Sequence, residues 1–310
     1  MLARVVAIAL NAYREAVRAR VLYGLFGLAL ATSAYALVVA SLSLHQEARV
    51  VADLGSASMS LYAVIVAIVL GATSLHRELE LKTLFPILSR PLWRHEYLLG
   101  KYVGTLATLA VFVAVDASAI LVLLGLVTGQ SVAKVAAVAG VLGIVLAAAL
   151  IRAKYTRVFV LLPWSAALVA AAYVLAGTAP DERQMVVASA LLSLSEVSIL
   201  AAVATLFASF SSPYLTSAFT AAIFAVGRSS DTLANLPPKV FGASVRSGGQ
   251  ALARVVPNLY AYVPSRPLLL GQVPGISVWS YVALAAGHAA LYAIVLLALS
   301  ALIFRKRDFQ

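Results

Sequence analysis

Few residues in this 310-residue chain have the type and spacing that chemistry needs. There is no cysteine, which excludes disulfides and thiolate-held metals. His95-Glu96-Tyr97-Leu98-Leu99 approaches the H-E-x-x-H helix of zinc proteases, but Leu99 stands where the second histidine would be. A catalytic zinc takes three protein ligands. His45, His76 and His288 are far apart in sequence and suggest no site. No G-x-x-x-x-G-K-[ST] loop occurs: Gly100-Lys101 is followed by Tyr102 and has no upstream glycine. The chain therefore cannot cradle ATP phosphates in that way.

What remains is a small set of ionisable residues inside apolar runs: Asp116, Glu196 and His288. Such groups usually face a bundle interior or a water path. Asp116 has Ser118 nearby, and Glu196 lies among Ser193, Ser195 and Ser198. Two readings fit. One is a polar translocation path or a coupled proton site at Asp116 and Glu196. The other is an interhelical hydrogen bond, with the carboxyl protonated.

The elements that would position these groups are membrane spans. The sequence is 63% hydrophobic and 11% charged, against about 45–50% and 25% in soluble domains. A net charge of +11 is spread between apolar runs, which fits anionic lipid headgroups better than nucleic acid. Spanning takes about 20 mainly apolar residues. That gives spans at 21–44, 56–75, 102–127, 132–151, 158–177, 185–210, 214–227 and 278–304, the seventh being short. The expected fold is all-α, a polytopic transmembrane helical bundle of about eight spans forming a single domain over 1–310. Residues 45–54 and 178–184 read as short polar loops.

Residues 2–20 read as an interfacial helix before the first span. Leu2, Val5, Val6, Ala9, Tyr13 and Val17 share one side; Arg4, Asn11, Glu15 and Arg18 share the other. The proline- and glycine-containing segment 228–277 reads as an ordered external loop, with a surface helix over 240–256. Eight spans put both termini on one side. Fifteen Lys and Arg fall on that side and eight on the other, so the positive-inside rule places both termini in the cytoplasm. No signal peptide is expected, because the apolar run at 5–10 is short and arginines follow it.

The one long charged island in the first half is 77–101, RELELKTLFPILSRPLWRHEYLLGK. Its charges cannot sit in lipid. Leu81, Leu84, Phe85 and Leu88 nevertheless fall on one helical face. Pro86 should bend or end that helix, and Pro91 suits the first turn of the next. The stretch reads as a short amphipathic helix held under the membrane, either docking a partner or serving as a solvated connector. Gly100-x-x-x-Gly104 is a helix close-packing motif.

Residues 78–101 resemble the permease subunits of ABC-2-type transporters, in the branch of the NosY-like and gliding-associated permeases. The resemblance rests on Glu78 and Glu80, Thr83, the run from Leu84 to Leu88, Ser89-Arg90-Pro91, Arg94-His95-Glu96 and Gly100-Lys101. It extends to Arg14-Glu15-Ala16-Val17-Arg18-Ala19-Arg20, to Leu206–Pro213, to Pro257-Asn258-Leu259 and to the tail Phe304–Phe309. Six spans are usual in that family, so 131–183 looks like an additional helical hairpin.

The resemblance implies a permease without ATPase activity of its own, in the cytoplasmic (inner) membrane. A separate ABC ATPase dimer would bind ATP and magnesium. A second permease copy or a related permease would complete the complex. The coupling residues would be Glu78, Glu80, Leu81, Thr83, Leu84, Phe85, Leu88, Arg90, Arg94 and Glu96. Export is the expected direction. A variant would transmit ATP-driven motion to an extracytoplasmic protein without cargo. An ion-coupled carrier using Asp116 and Glu196, or a polytopic membrane enzyme, are the readings from other classes. No two similar halves and no convergent catalytic set favour either.

Overall fold

The computed structural model describes residues 2–80, 93–153, 156–236 and 243–306. Among them every regular element is helical: α1 Leu2–Val17, α2 Arg20–Ser41, α3 Glu47–Glu80, α4 Arg94–Val127, α5 Val132–Arg152, α6 Leu161–Leu175, α7 Pro180–Ala208, α8 Pro213–Arg228, α9 Ser230–Ala234, α10 Ala243–Val255, α11 Arg266–Leu269 and α12 Val278–Lys306. The chain is a helical membrane protein. Seven helices are long and apolar enough to cross a bilayer, namely α2 to α7 and α12.

The count differs from the expected eight at α8, the short seventh candidate. It has 16 residues, about 24 Å at 1.5 Å per residue, and ends on an arginine. Two expected loops are also helical. The chain over 47–54 belongs to α3, where Glu47 sits in the first turn and Arg49 pairs with Asp53 one turn on. Residues 180–184 open α7, with Pro180 at the first position and Asp181 and Glu182 in the first turn. Acidic groups there complement the helix dipole.

The core is built on α3, α4 and α7, with α12 and α2 packed on its flanks. Small residues along α7, including Ala188, Ala201, Ala202 and Ala204, are fully buried, as helices that pack closely in lipid require. The hairpin over 131–183 is asymmetric. Helix α6 packs against α4, whereas α5 buries none of its residues. Trp164 ties the two by donating from Nε1 to the Leu142 carbonyl at 3.2 Å.

Helix α1 lies across the start of α4, and the glycine pair explains how. A Cβ on Gly100 would come within 2.6 Å of Ile8, and one on Gly104 would collide with the Ala9 carbonyl and with Ala12. The docked face therefore carries Ala9, Ala12, Tyr13 and Val17, all buried, while Leu2 and Val6 are exposed. Ala9, Tyr13 and Val17 of the expected apolar face are thus buried, Ala12 joins them, and Leu2 and Val6 do not. Small side chains stand only where α1 meets the two glycines, at Ala9 and Ala12.

Tyr97 of α4 stacks on Phe304 of α12 at the same end of the bundle. Both chain ends thus converge at one end of the bundle, the terminal end, beside the last turns of α3 and the first turns of α4. At the far end, 259–269 packs over α7, and the Leu259 N–H donates to the Gly227 carbonyl at 3.1 Å. The surface helix expected over 240–256 is α10, Ala243–Val255.

Candidate functional site

Glu196 is fully buried on α7, 17 residues into the helix from Pro180. Its partners are not the neighbouring serines. Ser195 and Ser198 donate to carbonyls of their own helix, Leu191 and Ser195. The carboxylate instead receives a two-pronged guanidinium from Arg228: Nε to Oε1 at 2.7 Å and Nη2 to Oε2 at 2.8 Å. Ser60 of α3 closes the group, donating to Glu196 Oε2 at 3.4 Å and accepting from Arg228 Nη2 at 2.9 Å. Three helices meet on one carboxylate.

Arg228 arrives there because α8 is short. Ser212 caps its start, accepting from the Leu215 N–H at 3.4 Å, and Pro213 occupies the first turn. Sixteen residues later the helix stops at the depth of Ser60 and Glu196. The sequence reading placed Arg228 in the external loop; the structure brings it into the bundle. A forked, planar guanidinium suits a buried carboxylate better than an ammonium does.

A cavity of about 340 Å³ opens beside this group. Asp53, Ser56 and Ser60 line it from α3, Ser189 and Ser193 from α7, and Tyr262 from the segment above. Toward the far end, Arg266 binds both Asp53 of α3 and Glu182 of α7. Ser56 Oγ is buried without a hydrogen-bond partner among the described residues. Tyr262 donates to or accepts from His288 Nδ1 at 3.1 Å. Burial pushes the Tyr262 phenol up to about 12, and the Glu196 carboxylate adds to the shift. The cavity is thus a largely apolar chamber, with Leu61, Phe224 and Leu269 among its walls, that carries a few polar side chains and two arginine–carboxylate groups at its edges.

Asp116 of α4 stands apart from this chamber. It is fully buried, and Ser33 of α2 donates to its Oδ1 at 3.3 Å. Its other oxygen has no partner among the described residues. Ser118 donates to its own helix, to the Ala114 carbonyl. Asp116 and Glu196 therefore do not form one site.

At the terminal end, Lys101 is buried. It donates to Glu15 of α1 at 3.2 Å and to the Ser74 carbonyl of α3 at 3.3 Å. Glu96 is also buried; it accepts from the Trp93 N–H at 3.2 Å and lies 3.9 Å from Arg4. Tyr13 donates to the Val158 carbonyl at 3.2 Å and stacks on Phe159. Glu78 and Glu80 fall on the last turns of α3, and Arg94 opens α4. Leu81, Thr83, Leu84, Phe85, Leu88 and Arg90 lie outside the described residues.

No protein-family model matches the chain, and no curated protein matches it in sequence.

Proposed function

We propose that the chain is the transmembrane permease subunit of an ATP-driven ABC-2-type transporter, acting as an exporter. A separate ATPase dimer would seat residues 78–99 and drive the bundle through them. The observation that carries this reading is the way both flanks of 81–92 are fastened. Lys101 joins α4 to α1 and to the end of α3, Glu96 fixes the first turn of α4, and Tyr97 stacks on α12. A push on the connecting segment would reach four helices at once. A solvated connector with no partner has no use for such fastening.

In this reading the terminal end faces the cytoplasm, in the inner membrane, and a second permease copy or a related permease completes the complex. Glu15, Lys101 and Glu96 hold the transmission frame. The apolar residues Leu81, Leu84, Phe85 and Leu88 supply the ATPase contact. A central aromatic in a filled pocket carries about 2 kcal/mol or more of an interface. Phe85→Ala or Leu84→Asp should therefore leave the protein inserted yet weaken capture of the ATPase about thirtyfold. Co-purification in detergent measures this. Full ATPase retention by Leu84→Asp would remove the reading's main support. A cysteine at Thr156 labelled only from outside the cell would overturn the orientation.

A second reading keeps the ATPase and replaces cargo with an extracytoplasmic partner. It is favoured by the exposed side chains of Tyr260, Val263, Ile276 and Trp279 at the far end. Loss of a co-purifying protein on Trp279→Asp, with transport of no solute, would select it.

A further inference from the structure

A second cavity, about 380 Å³, lies at the terminal end between α1, α2 and α3. Its walls are Leu22 and Leu25 of α2 and Val66, Val69 and Leu70 of α3, with Ala12 and Ala16 of α1 above them. Its rim holds Glu15, Arg20, Thr73 and Ser74. Arg20 is the first residue of one span and Ser74 the last of another. The rim therefore lies at headgroup level and the walls run into the hydrocarbon.

The charges at the rim are unequal. Glu15 is engaged by Lys101. Arg20 is exposed and has no acidic partner among the described residues, and the same holds for Arg14 and Arg18 at the end of α1. An apolar slot at headgroup depth, with Arg20 at its mouth and the rim carboxylate of Glu15 already engaged by Lys101, is complementary to one molecule with an acyl chain and a phosphate. We infer that this cavity holds a single anionic phospholipid, its phosphate on Arg20 and an acyl chain along Leu22, Leu25, Val66 and Val69. The lipid would fill the gap under α1, next to the Lys101 junction. The inference needs only the membrane setting, not an ATPase partner.

Native mass spectrometry of the delipidated protein, titrated with phosphatidylglycerol, phosphatidylcholine of equal chain length or inorganic phosphate, tests it. The expected result is one phosphatidylglycerol retained at least tenfold more tightly than phosphatidylcholine. Arg20→Gln should erase that preference and Arg20→Lys should keep most of it. Val69→Phe, which fills the slot and leaves Arg20 in place, should lower phosphatidylglycerol affinity about tenfold. Melting temperatures of the variants establish that they are folded. Equal retention of both lipids by wild type would overturn the assignment, reducing the cavity to ordinary lipid contact. Displacement of phosphatidylglycerol by equimolar phosphate, or no effect of Val69→Phe, would also overturn it, as a plain anion site needs no chain.

Discussion

Lys101–Glu15 and Arg228–Glu196 both join helices of an apolar bundle, yet they are opposites. In the first the cation is enclosed, with 5% of its side chain exposed, while 29% of the Glu15 side chain remains accessible. In the second the anion is enclosed, at 0%, and Arg228 keeps 26%. The first is a single contact at 3.2 Å near the surface; the second is a fork at 2.7 and 2.8 Å. The comparison teaches that either pair should respond unequally to loss of its two members. Removing the accessible member takes an ion-pair partner from the enclosed charge, whereas removing the enclosed member leaves a charge that still reaches water.

The largest effect is expected at Arg228. Arg228→Met strands Glu196 and should cost about 3–5 kcal/mol, read as a lower melting temperature in detergent. Glu196→Gln should cost less, and Arg228→Met with Glu196→Met should regain much of the loss. Equal costs for the two single changes would break the comparison. At the other pair the order inverts: Glu15→Ala takes a charged partner from the enclosed Lys101, which keeps the Ser74 carbonyl, and should cost about 1–3 kcal/mol, while Lys101→Met leaves Glu15 open to water and should cost less.

Gly104→Leu sharpens the same contrast, because its side chain would collide with Ala9 and Ala12 and lift α1 from α4. Overpacking of this kind costs about 1–3 kcal/mol. A single cysteine at Ala12, buried in the wild type, should then label rapidly.

The smallest effect is at Tyr13, the other tie of α1. Tyr13→Phe removes the bond to Val158 and should cost about 1 kcal/mol. Burial pushes the Tyr13 phenol from 10.0 up to about 12. A raised phenol stabilises the fold fully below pH 10, and that contribution is lost as pH climbs toward 12. Tyr13→Phe should flatten the alkaline loss of stability across that window, and an unchanged pH profile would mean the phenol does not titrate in the fold.

The bundle was legible because long apolar runs have few alternatives to spanning helices. Asp116 and Glu196 were legible for a related reason, as carboxylates inside such runs. Their partners were not. Ser33 and Ser60 look like any serine in a span, and helix rotation decides what they face. Arg228 reads as the start of a loop because the proline- and glycine-containing segment follows it. The available signal was length: an apolar run too short to cross, ending in arginine, beside an unpaired intramembrane carboxylate elsewhere in the chain. Asp53, Glu182 and Arg266 were hidden because two of them sit in segments that read as polar loops and proved to be helix starts. Periodicity on α1 finds Ala9, Tyr13 and Val17 of the buried face but also includes Leu2 and Val6, which are exposed, because it cannot see that Gly100 and Gly104 seat the helix on Ala9 and Ala12.

The early stop of α8 has an electrical consequence. Arg228, about 24 Å along α8 from its start, forms with Glu196 a polarisable well in a medium of low dielectric constant. With the neighbouring chamber filled by water, the potential of the far-side solution would be carried inward to Arg228. The membrane voltage would then fall across the apolar layer between Arg228 and Lys101 rather than across the whole bilayer. A unit charge crossing the full potential exchanges about 2.3 kcal/mol per 100 mV. A charge moving through that layer alone would sense nearly all of it, over a shorter path.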